Sequence, residues 1–323
     1  MRHIFIVNPV SGKEDISLRI GEEINQVCAA HNIEPLVFIS EHAGYEREMT
    51  EKICSLFPED ELRFYAVGGS GTLSNIVSGI KDFSRTEVAC YPAGLTNDFL
   101  KSYGGSAEFF RSVESLVTGR VDMIDVVDMG SYRVLDFASF GLGNTCFNEW
   151  LLFKLLRSIR SYLNYHLSVV FDLLRNKCAK YDIEIDGKDY SGEYAMVVCF
   201  NGMCMGGSVI PLKDPRPNDG VLNFILADKM SRFQQIRIMK DFSRGRLEGH
   251  GDVFQIIKGR EMVVSRSDRQ PVVFNSDGEC VRRVTTTLKL NSEKLRFVVP
   301  KDARILMPSN VDEAKLSAPS KKK

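Results

Sequence analysis

The sequence predicts a two-domain protein, an α/β domain with a parallel sheet followed by a mostly antiparallel β domain. In the first part of the chain, short continuous apolar runs alternate with segments of helical spacing, which is typical of a parallel sheet covered on both faces. After about residue 120, runs that alternate apolar and polar residues dominate, as half-buried antiparallel strands do. A chain of 323 residues is long for a single core, which also favours two domains.

The first half contains four predicted strands that alternate with helices. The helix over 16–30 follows from the spacing of Ile16, Ile20, Ile24 and Val27, and further helices are predicted over 44–56 and after the glycines at 68–71. The predicted strands are HIFIVN (3–8), EPLVFIS (34–40), LRFYAV (62–67) and EVACY (87–91). We expect an α/β domain over 1–125, which the segment 295–310 would complete.

The second half is predicted to form a β-sandwich over 126–294, with a flexible basic tail over 311–323. Its strands are expected at VDMIDVVDMG, YRVLDFASFG, KYDIEIDG, EYAMVVCFNG, GVLNFILA, EMVVSRS, QPVVFNSDG and TTTLKLN. The stretch 151–174 has helical spacing with interleaved Lys154, Arg157 and Arg160. It has two interpretations, a helix that covers a sheet edge and a basic amphipathic helix that docks on an anionic membrane.

Composition and charge exclude several classes of protein. Lysine plus arginine and aspartate plus glutamate both number 42, so nothing favours binding to nucleic acid. No charge-free window of about 18 residues predicts a transmembrane helix, and no signal peptide is apparent. The eight cysteines form no CxxC pair, so we expect no zinc site and a cytoplasmic protein.

Three glycine-containing turns each follow a predicted strand of the first domain: NPVSGK (8–13), VGGSGTLSN (67–75) and YPAGLTNDF (91–99). In a parallel sheet these turns lie at the carboxyl ends of the strands, where ligands bind in open α/β folds. Glycine lets backbone N–H groups approach phosphate oxygens at a helix N-terminus, so a nucleotide is the expected ligand. Alternatively GGSG is a plain tight turn, and Asn97 or Asp98 only caps a helix.

Carboxylates in the second half stand next to glycines. Asp219 occurs in RPNDGVL, and Asp277 and Glu279 occur in FNSDGEC. Asp-Gly is also the usual dipeptide of a tight turn between strands, so each has a structural interpretation. Phosphoryl transfer needs Mg²⁺ and a carboxylate that orients the acceptor hydroxyl, and these residues could serve it.

Five segments, taken in order, resemble the diacylglycerol kinase catalytic-domain family. The likeness is greatest to its soluble bacterial lipid kinases, which are related to sphingosine kinases. The segments are IVNPVSGK, VGGSGTLSNIVSG, YPAGLTNDF, NGMCMGGSVIPLKDPRPNDGVLNF and VVFNSDGE. The resemblance covers about residues 2–300. It implies ATP and Mg²⁺ as cofactors, a lipid alcohol such as diacylglycerol as substrate, and Asp277 as general base. The carboxylates implied around Mg²⁺ are Asp125, Asp219 and Glu279. The positions implied on the nucleotide side are Asn8, Gly68, Gly69, Ser70, Gly71, Thr72, Thr96, Asn97 and Asp98.

This chain departs from the family pattern, which is close to GGDGTxNEVxNG and GTxNDF. Ser70 replaces the aspartate of the first motif, Asn75 replaces its glutamate, and Leu95 replaces the threonine or serine of the second. Serine cannot supply a negative charge to Mg²⁺. Two functions therefore stay open, an active lipid kinase and a catalytically impaired protein that binds lipid or nucleotide. A kinase acting on a soluble acceptor such as NAD is a third.

We further expect the protein at the inner face of the membrane through peripheral contact. A homodimer is possible through an exposed edge strand of the second domain.

Overall fold

The computed structural model describes residues 1–12, 15–94, 97–104, 107–142, 178–207, 209–214 and 216–306. The chain divides into two units: the first comprises 1–126, 131–133 and the residues from 291 onward, and the second comprises 127–130 and 134–290. The predicted fold class, an α/β part and an antiparallel β part, is confirmed.

The first unit is built on a six-stranded sheet within the described residues, with the strands Arg2–Val7 (β1), Pro35–Ile39 (β2), Leu62–Gly68 (β3), Thr86–Pro92 (β4), Arg120–Ile124 (β5) and Leu295–Val299 (β18). Their order in the sheet is β2-β1-β3-β4-β18-β5. The first five in this order are mutually parallel, and β5 runs antiparallel to β18. Every residue of β3 and β4 is buried, as their continuous apolar sequences require.

Helices pack beside this sheet near the predicted positions. They are Ser17–Ala30 (α1), Tyr45–Leu56 (α2), Ser70–Gly79 (α3) and Val113–Val117 (α4), with short 3₁₀ helices at Phe99–Tyr103 and Ala107–Phe110. Helix α1 buries Ile20, Ile24 and Cys28, the stripe expected from their spacing. A helix also begins after the third glycine turn, as predicted, but it is the short 3₁₀ helix Phe99–Tyr103 and not an α-helix.

The second unit contains one hydrogen-bonded network of antiparallel strands. The remaining strands are Val127–Asp128 (β6), Arg133–Val134 (β7), Phe137–Gly141 (β8), Ala179–Ile185 (β9), Lys188–Asp189 (β10), Gly192–Phe200 (β11), Leu222–Asp228 (β12), Phe254–Gly259 (β13), Glu261–Arg266 (β14), Val272–Ser276 (β15), Glu279–Arg283 (β16) and Thr285–Leu290 (β17). The main path is β16-β15-β8-β11-β9-β14-β17-β6-β7; β10 pairs with β9, while β12 joins β11 to β13. Helix Arg232–Phe242 (α5) packs on this network, and a short 3₁₀ helix, Leu247–Gly249, follows it.

Two predictions concern parts of the chain outside the described residues, namely the helical stretch 151–174 and the basic tail 311–323. Among the helices that the structure describes, none is long and apolar enough to cross a bilayer. In the described part of the second unit, β13 pairs only with β12. The homodimer expected through such an edge strand stays a prediction.

A row of buried charged residues crosses the first sheet near the amino ends of its strands. Glu87 is 3% exposed, and its carboxylate binds Arg63 Nη2 at 2.6 Å and Arg296 Nη2 at 2.5 Å. Arg63 Nη1 also donates to the carbonyl of Val117 at 2.8 Å. Since parallel strands place their glycine turns at the carboxyl ends, this ion network belongs to the edge opposite the turns. It stabilises the sheet without taking part in the candidate site.

His3 lies beside this network, with its Nδ1 atom 2.8 Å from the hydroxyl of Tyr65. Burial lowers the pKa of His3 from 6.5 to about 4, and the positive charge of Arg63 adds to the effect. Between pH 6.5 and about 4, His3 therefore binds a proton in the unfolded chain but not in the folded chain. The free energy of unfolding should be highest above pH 6.5 and fall by about 2–3 kcal/mol as the pH drops toward 4. Urea titrations of the wild type and His3→Gln across this range test it, and equal pH slopes for the two would contradict it.

Candidate functional site

The three glycine-containing turns are hydrogen-bonded to one another at the carboxyl edge of the first sheet. The N–H of Asn8, after β1, donates to the carbonyl of Val67 at 2.9 Å. The N–H groups of Ala93 and Gly94, after β4, both donate to the carbonyl of Gly68 at 3.0 Å. The structure therefore brings the turns that follow β1, β3 and β4 to one place, as the parallel arrangement predicts.

The turns after β3 and β4 approach so closely that only glycine fits. A Cβ atom on Gly94 would lie 2.3 Å from Gly69 Cα and 2.7 Å from Gly69 N. A Cβ atom on Gly68 would lie 2.3 Å from Thr72 Oγ1. Gly94 was not among the predicted site residues, although the sequence places a glycine there. Glycine at both positions is what allows the two turns to meet.

Helix α3 begins directly after this contact. Gly69 is its N-cap residue, and no side chain makes a capping hydrogen bond there. The first N–H groups of a helix lack partners within the helix and carry the positive end of its dipole. Ser70, Gly71 and Thr72 form the first turn of this ten-residue helix. This arrangement is suited to binding a phosphate group.

A group of polar side chains adjoins the turn. Asn8 Nδ2 donates to Thr72 Oγ1 at 3.1 Å and to Glu46 Oε1 at 2.9 Å, and Ser40 Oγ donates to the same Glu46 oxygen at 3.0 Å. Glu46 is 2% exposed. Its carboxylate therefore fixes the Asn8 side chain beside Thr72. Sequence reasoning missed Glu46, because only the tertiary structure brings helix α2 to the turn after β1.

Ser70 joins the second and third turns, since its Oγ accepts the N–H of Asp98 at 3.2 Å. Asp98 is 5% exposed, and its carboxylate binds Lys101 Nζ at 3.0 Å. Asn97 Nδ2 donates to the carbonyl of Gly94 at 3.0 Å, while its buried Oδ1 has no hydrogen-bond partner among the described residues. Asp98 occupies the N-cap position of the 3₁₀ helix without a side-chain capping bond, so the capping interpretation is wrong for both residues. Thr96 lies outside the described residues.

Asp125, expected near Mg²⁺, is 2% exposed and follows β5. Its Oδ1 atom lies 2.9 Å from Lys294 Nζ. This ion pair offsets the cost of burying the carboxylate.

In the second unit, Asp277 forms a tight turn with Gly278 between β15 and β16. Both have positive φ angles, 48° and 95°, and the N–H of Gly278 donates to Asn275 Oδ1 at 3.0 Å. The turn interpretation of this Asp-Gly pair is therefore correct. The carboxylate, however, does more than the turn requires. Its Oδ2 accepts the N–H of Leu135 at 2.7 Å, and its Oδ1 accepts those of Asp136 and Phe137 at 3.1 and 3.0 Å.

The segment that contains these three amides, 135–137, is also hydrogen-bonded by the NG motif, Asn201-Gly202. Asn201 Nδ2 donates to the carbonyl of Leu135 at 2.8 Å, and the N–H groups of Asn201 and Gly202 donate to that of Asp136 at 2.8 and 2.9 Å. The NG and DG motifs, far apart in sequence, thus hold one buried segment. Burial, with the charge of Asp277 adding to it, raises the pKa of the nearby Cys199 thiol, so this cysteine stays protonated and unreactive.

The other two predicted carboxylates of the second unit are exposed. Asp219 Oδ1 accepts the N–H of Val221 at 3.1 Å, and Gly220 has a φ of 74°, which together define a turn. Glu279 is the first residue of β16. Asp125 belongs to the first unit, so the predicted magnesium set is divided between the units.

Among the described residues, no group of three or more His, Cys, Asp or Glu side chains could hold a metal ion by itself. Mg²⁺ usually binds proteins through one or two carboxylates together with nucleotide phosphates and water. The residues at the turns fit that mode, because Asp98 is held there by the Ser70 contact. They do not fit a metal cage made only of protein ligands.

Residues 2–129 match the family model described as the diacylglycerol kinase catalytic domain, and residues 153–301 match the YegS C-terminal NAD kinase beta sandwich-like domain. The chain therefore contains a diacylglycerol kinase catalytic domain followed by a YegS-type C-terminal domain.

Two relatives carry lipid kinase names, and one solved structure shares the fold. A Staphylococcus haemolyticus protein named "Putative lipid kinase SH2167" is 28% identical over 94% of this chain and 95% of its own. A Staphylococcus aureus (strain JH9) relative, "Putative lipid kinase SaurJH9_0749", is 29% identical over 68% of this chain and 72% of its own. A Bacillus anthracis structure described as a "putative diacylglycerol kinase" shares the fold with a TM-score of 0.70 at 20% identity, covering 94% of this chain and 98% of its own.

Proposed function

We propose that the protein is an ATP- and Mg²⁺-dependent lipid kinase that phosphorylates the hydroxyl of a lipid alcohol such as diacylglycerol. The observation that carries the proposal is the junction of the glycine turns, where Gly94 packs against the backbone of Gly69 at the N-terminus of α3. The matched catalytic domain and the names of the relatives support the reaction class.

In the first unit, the turn backbone and the α3 N-terminus would bind the phosphates of ATP. The unpartnered Asn97 Oδ1 would accept a hydrogen bond from the nucleotide, and Glu46 would hold Asn8 in place. Mg²⁺ bound with ATP would neutralise phosphate charge, with Asp98, whose carboxylate also pairs with Lys101, as the carboxylate at the turns. Neutralisation and positioning are the main contributions that proteins make to phosphoryl transfer.

In the second unit, Asp277 would accept the proton of the lipid hydroxyl as the oxygen bonds to the γ-phosphorus and ADP leaves. Three backbone amides occupy three of the roughly four acceptor positions of its carboxylate, so its orientation is fixed. Fixed orientation of a reacting group is itself a substantial contribution to rate.

A second function, binding of nucleotide or lipid without turnover, is favoured by one observation. Ser70 makes a contact between the turns but carries no charge, so the negative charge of the family aspartate is absent from this site. Loss of one electrostatic contributor typically lowers a rate by about 10²–10³.

The test is transfer of label from [γ-³²P]ATP to lipid in mixed micelles containing diacylglycerol and Mg²⁺. We compare the wild type with Asp277→Asn and Ser70→Asp, each shown to be folded by thermal unfolding. For an active kinase, we expect labelled lipid that disappears in Asp277→Asn and changes little in Ser70→Asp.

No label in any of several lipid alcohols would contradict the kinase proposal. Activity that appears only in Ser70→Asp would identify an impaired site. Label in a soluble acceptor such as NAD would instead point to different substrate chemistry.

A further inference from the structure

Helix α5 of the second unit exposes two large apolar side chains. Phe233 is 87% exposed and Ile236 is 61% exposed. The opposite side of the helix is packed, with Gln235 and Ile238 buried and the Phe242 ring stacked on Phe254 at 5.8 Å. Phe233 and Ile236 therefore lie on an outer face of helix α5, opposite the side that packs on the second unit.

The N-terminus of helix α5 is capped, so the positions of the side chains on its outer face are defined. Ser231 and Gln234 form a reciprocal capping box at its N-terminus. Phe233, Ile236, Arg237 and Lys240 lie within about 100° of one another around the axis, given the helical repeat. We call these four residues the α5 outer face.

The charges that make no ion pair on this face, and on the residues after it up to 250, are positive. Arg237, Lys240, Arg244 and Arg246 are exposed, and none of them forms an ion pair within the described part of the chain. The two acidic side chains of 231–250 are already paired. Asp241 Oδ2 lies 3.0 Å from His250 Nε2, and Glu248 Oε2 lies 2.7 Å from Lys213 Nζ.

We propose that the α5 outer face docks on an anionic lipid bilayer, with Phe233 and Ile236 inserted at the level of the headgroups. A helix that combines large apolar side chains with unpaired cations is typical of interfacial membrane contact. Lysine and arginine near such a surface are attracted by its negative potential.

Charge favours an anionic bilayer over the other partners that could cover the α5 outer face. A second copy of the same face would bring like cations together. The stretch 151–174 contributes Lys154, Arg157 and Arg160 against the single acidic residue Asp172, and the tail 311–323 is also basic in sequence. An anionic bilayer is the one partner considered whose charge complements Arg237 and Lys240.

The test is sedimentation of the full chain with vesicles, without ATP, so that its result is independent of kinase activity. One set of vesicles contains equal parts of phosphatidylglycerol and phosphatidylcholine, and the other contains phosphatidylcholine alone. The wild type should bind the anionic vesicles more tightly, and added salt should weaken that binding.

The variants Phe233→Ser/Ile236→Ser and Arg237→Glu/Lys240→Glu should each weaken binding to anionic vesicles by about tenfold or more. The matched controls are Leu18→Ser, since Leu18 is also 87% exposed but lies on α1, and Lys52→Glu on α2. Both controls should bind like the wild type. Thermal unfolding checks that each variant is folded.

Three outcomes would overturn the proposal. The wild type does not bind anionic vesicles, or both double variants bind as tightly as the wild type, which would place the contact elsewhere. The third is a wild-type dimer that becomes a monomer in Phe233→Ser/Ile236→Ser, measured by sedimentation velocity, which would make this face a self-association surface.

Discussion

Replacing Asp277 by alanine is expected to lower the free energy of unfolding of the second unit by about 3–5 kcal/mol. The carboxylate accepts the N–H groups of Leu135, Asp136 and Phe137, and all three residues are at most 3% exposed. Alanine would leave these donors without their acceptor in a buried site. It also suits the φ of 48° less well than aspartate. Urea unfolding monitored by circular dichroism measures the change.

The matched control is Asp219→Ala, because Asp219 also precedes a turn glycine but is exposed. Within the described residues, its carboxylate accepts a backbone hydrogen bond only from Val221. Its expected cost is at most about 1 kcal/mol. Asp277→Asn should fall between the two, since asparagine keeps one acceptor oxygen and tolerates positive φ. A cost for Asp277→Ala no larger than that of the control would show that the three amide contacts are not maintained in solution.

This result bears directly on how the kinase test is interpreted. Asp277→Asn removes the proposed base, but its amide NH₂ group also faces backbone donors that the carboxylate satisfied. Loss of activity in this variant therefore has a chemical and a structural component. Comparing rates at a temperature well below the melting transition of both proteins separates them.

Replacing Gly94 by alanine is expected to weaken ATP binding at least about tenfold and to destabilise the first unit by about 1–3 kcal/mol. The new Cβ would meet Gly69 Cα at 2.3 Å and Gly69 N at 2.7 Å. These are backbone atoms, so no side-chain rotation relieves the clash. The turns must separate, which moves the α3 N-terminus away from the loop after β4. Calorimetric titration with ATP and thermal unfolding measure the two effects.

Gly21→Ala is the matched control, because a Cβ on this α1 glycine meets nothing within 4 Å. It should leave ATP binding unchanged and increase stability by up to about 1 kcal/mol, the usual advantage of alanine over glycine within a helix. ATP binding by Gly94→Ala at wild-type affinity would exclude the junction of the turns as the nucleotide site.

Ser70 shows how a departure from a family pattern can preserve the fold while changing the chemistry. Its hydroxyl is large enough to accept the N–H of Asp98 and so keep two turns together. A carboxylate at the same position could make that contact and also carry charge. The geometry of the turns is thus compatible with serine. The Ser70→Asp variant of the kinase test measures whether the missing charge affects the rate of phosphoryl transfer.

The local sequence was sufficient to predict the fold class and β1 to β4 with the helices between them. It placed VDMIDVVDMG in the second half, however, and β5 (Arg120–Ile124) belongs to the first sheet. Continuous apolar runs such as EVACY fit only a strand buried on both faces, and the stripe of Ile20 and Ile24 fits only one face of a helix. It also placed the glycine turns at one sheet edge, because parallel strands all end there. The short 3₁₀ form of the helix Phe99–Tyr103 was missed, since a helix start signal does not determine how far the helix continues.

Contacts between distant segments were decided only by the tertiary structure. Glu46 on helix α2 reaches Asn8 in the turn after β1, and Gly94 after β4 meets Gly69 after β3. Asp277 accepts hydrogen bonds from amides about 140 positions earlier in the chain. An Asp-Gly pair predicts a turn in either case, so the sequence does not show whether the carboxylate is buried and hydrogen-bonded to distant amides. The sequence by itself determined which residues could do chemistry and which strand ends carry them. Only packing decided which of them meet, because hydrogen bonds and close contacts depend on distances that chain folding sets.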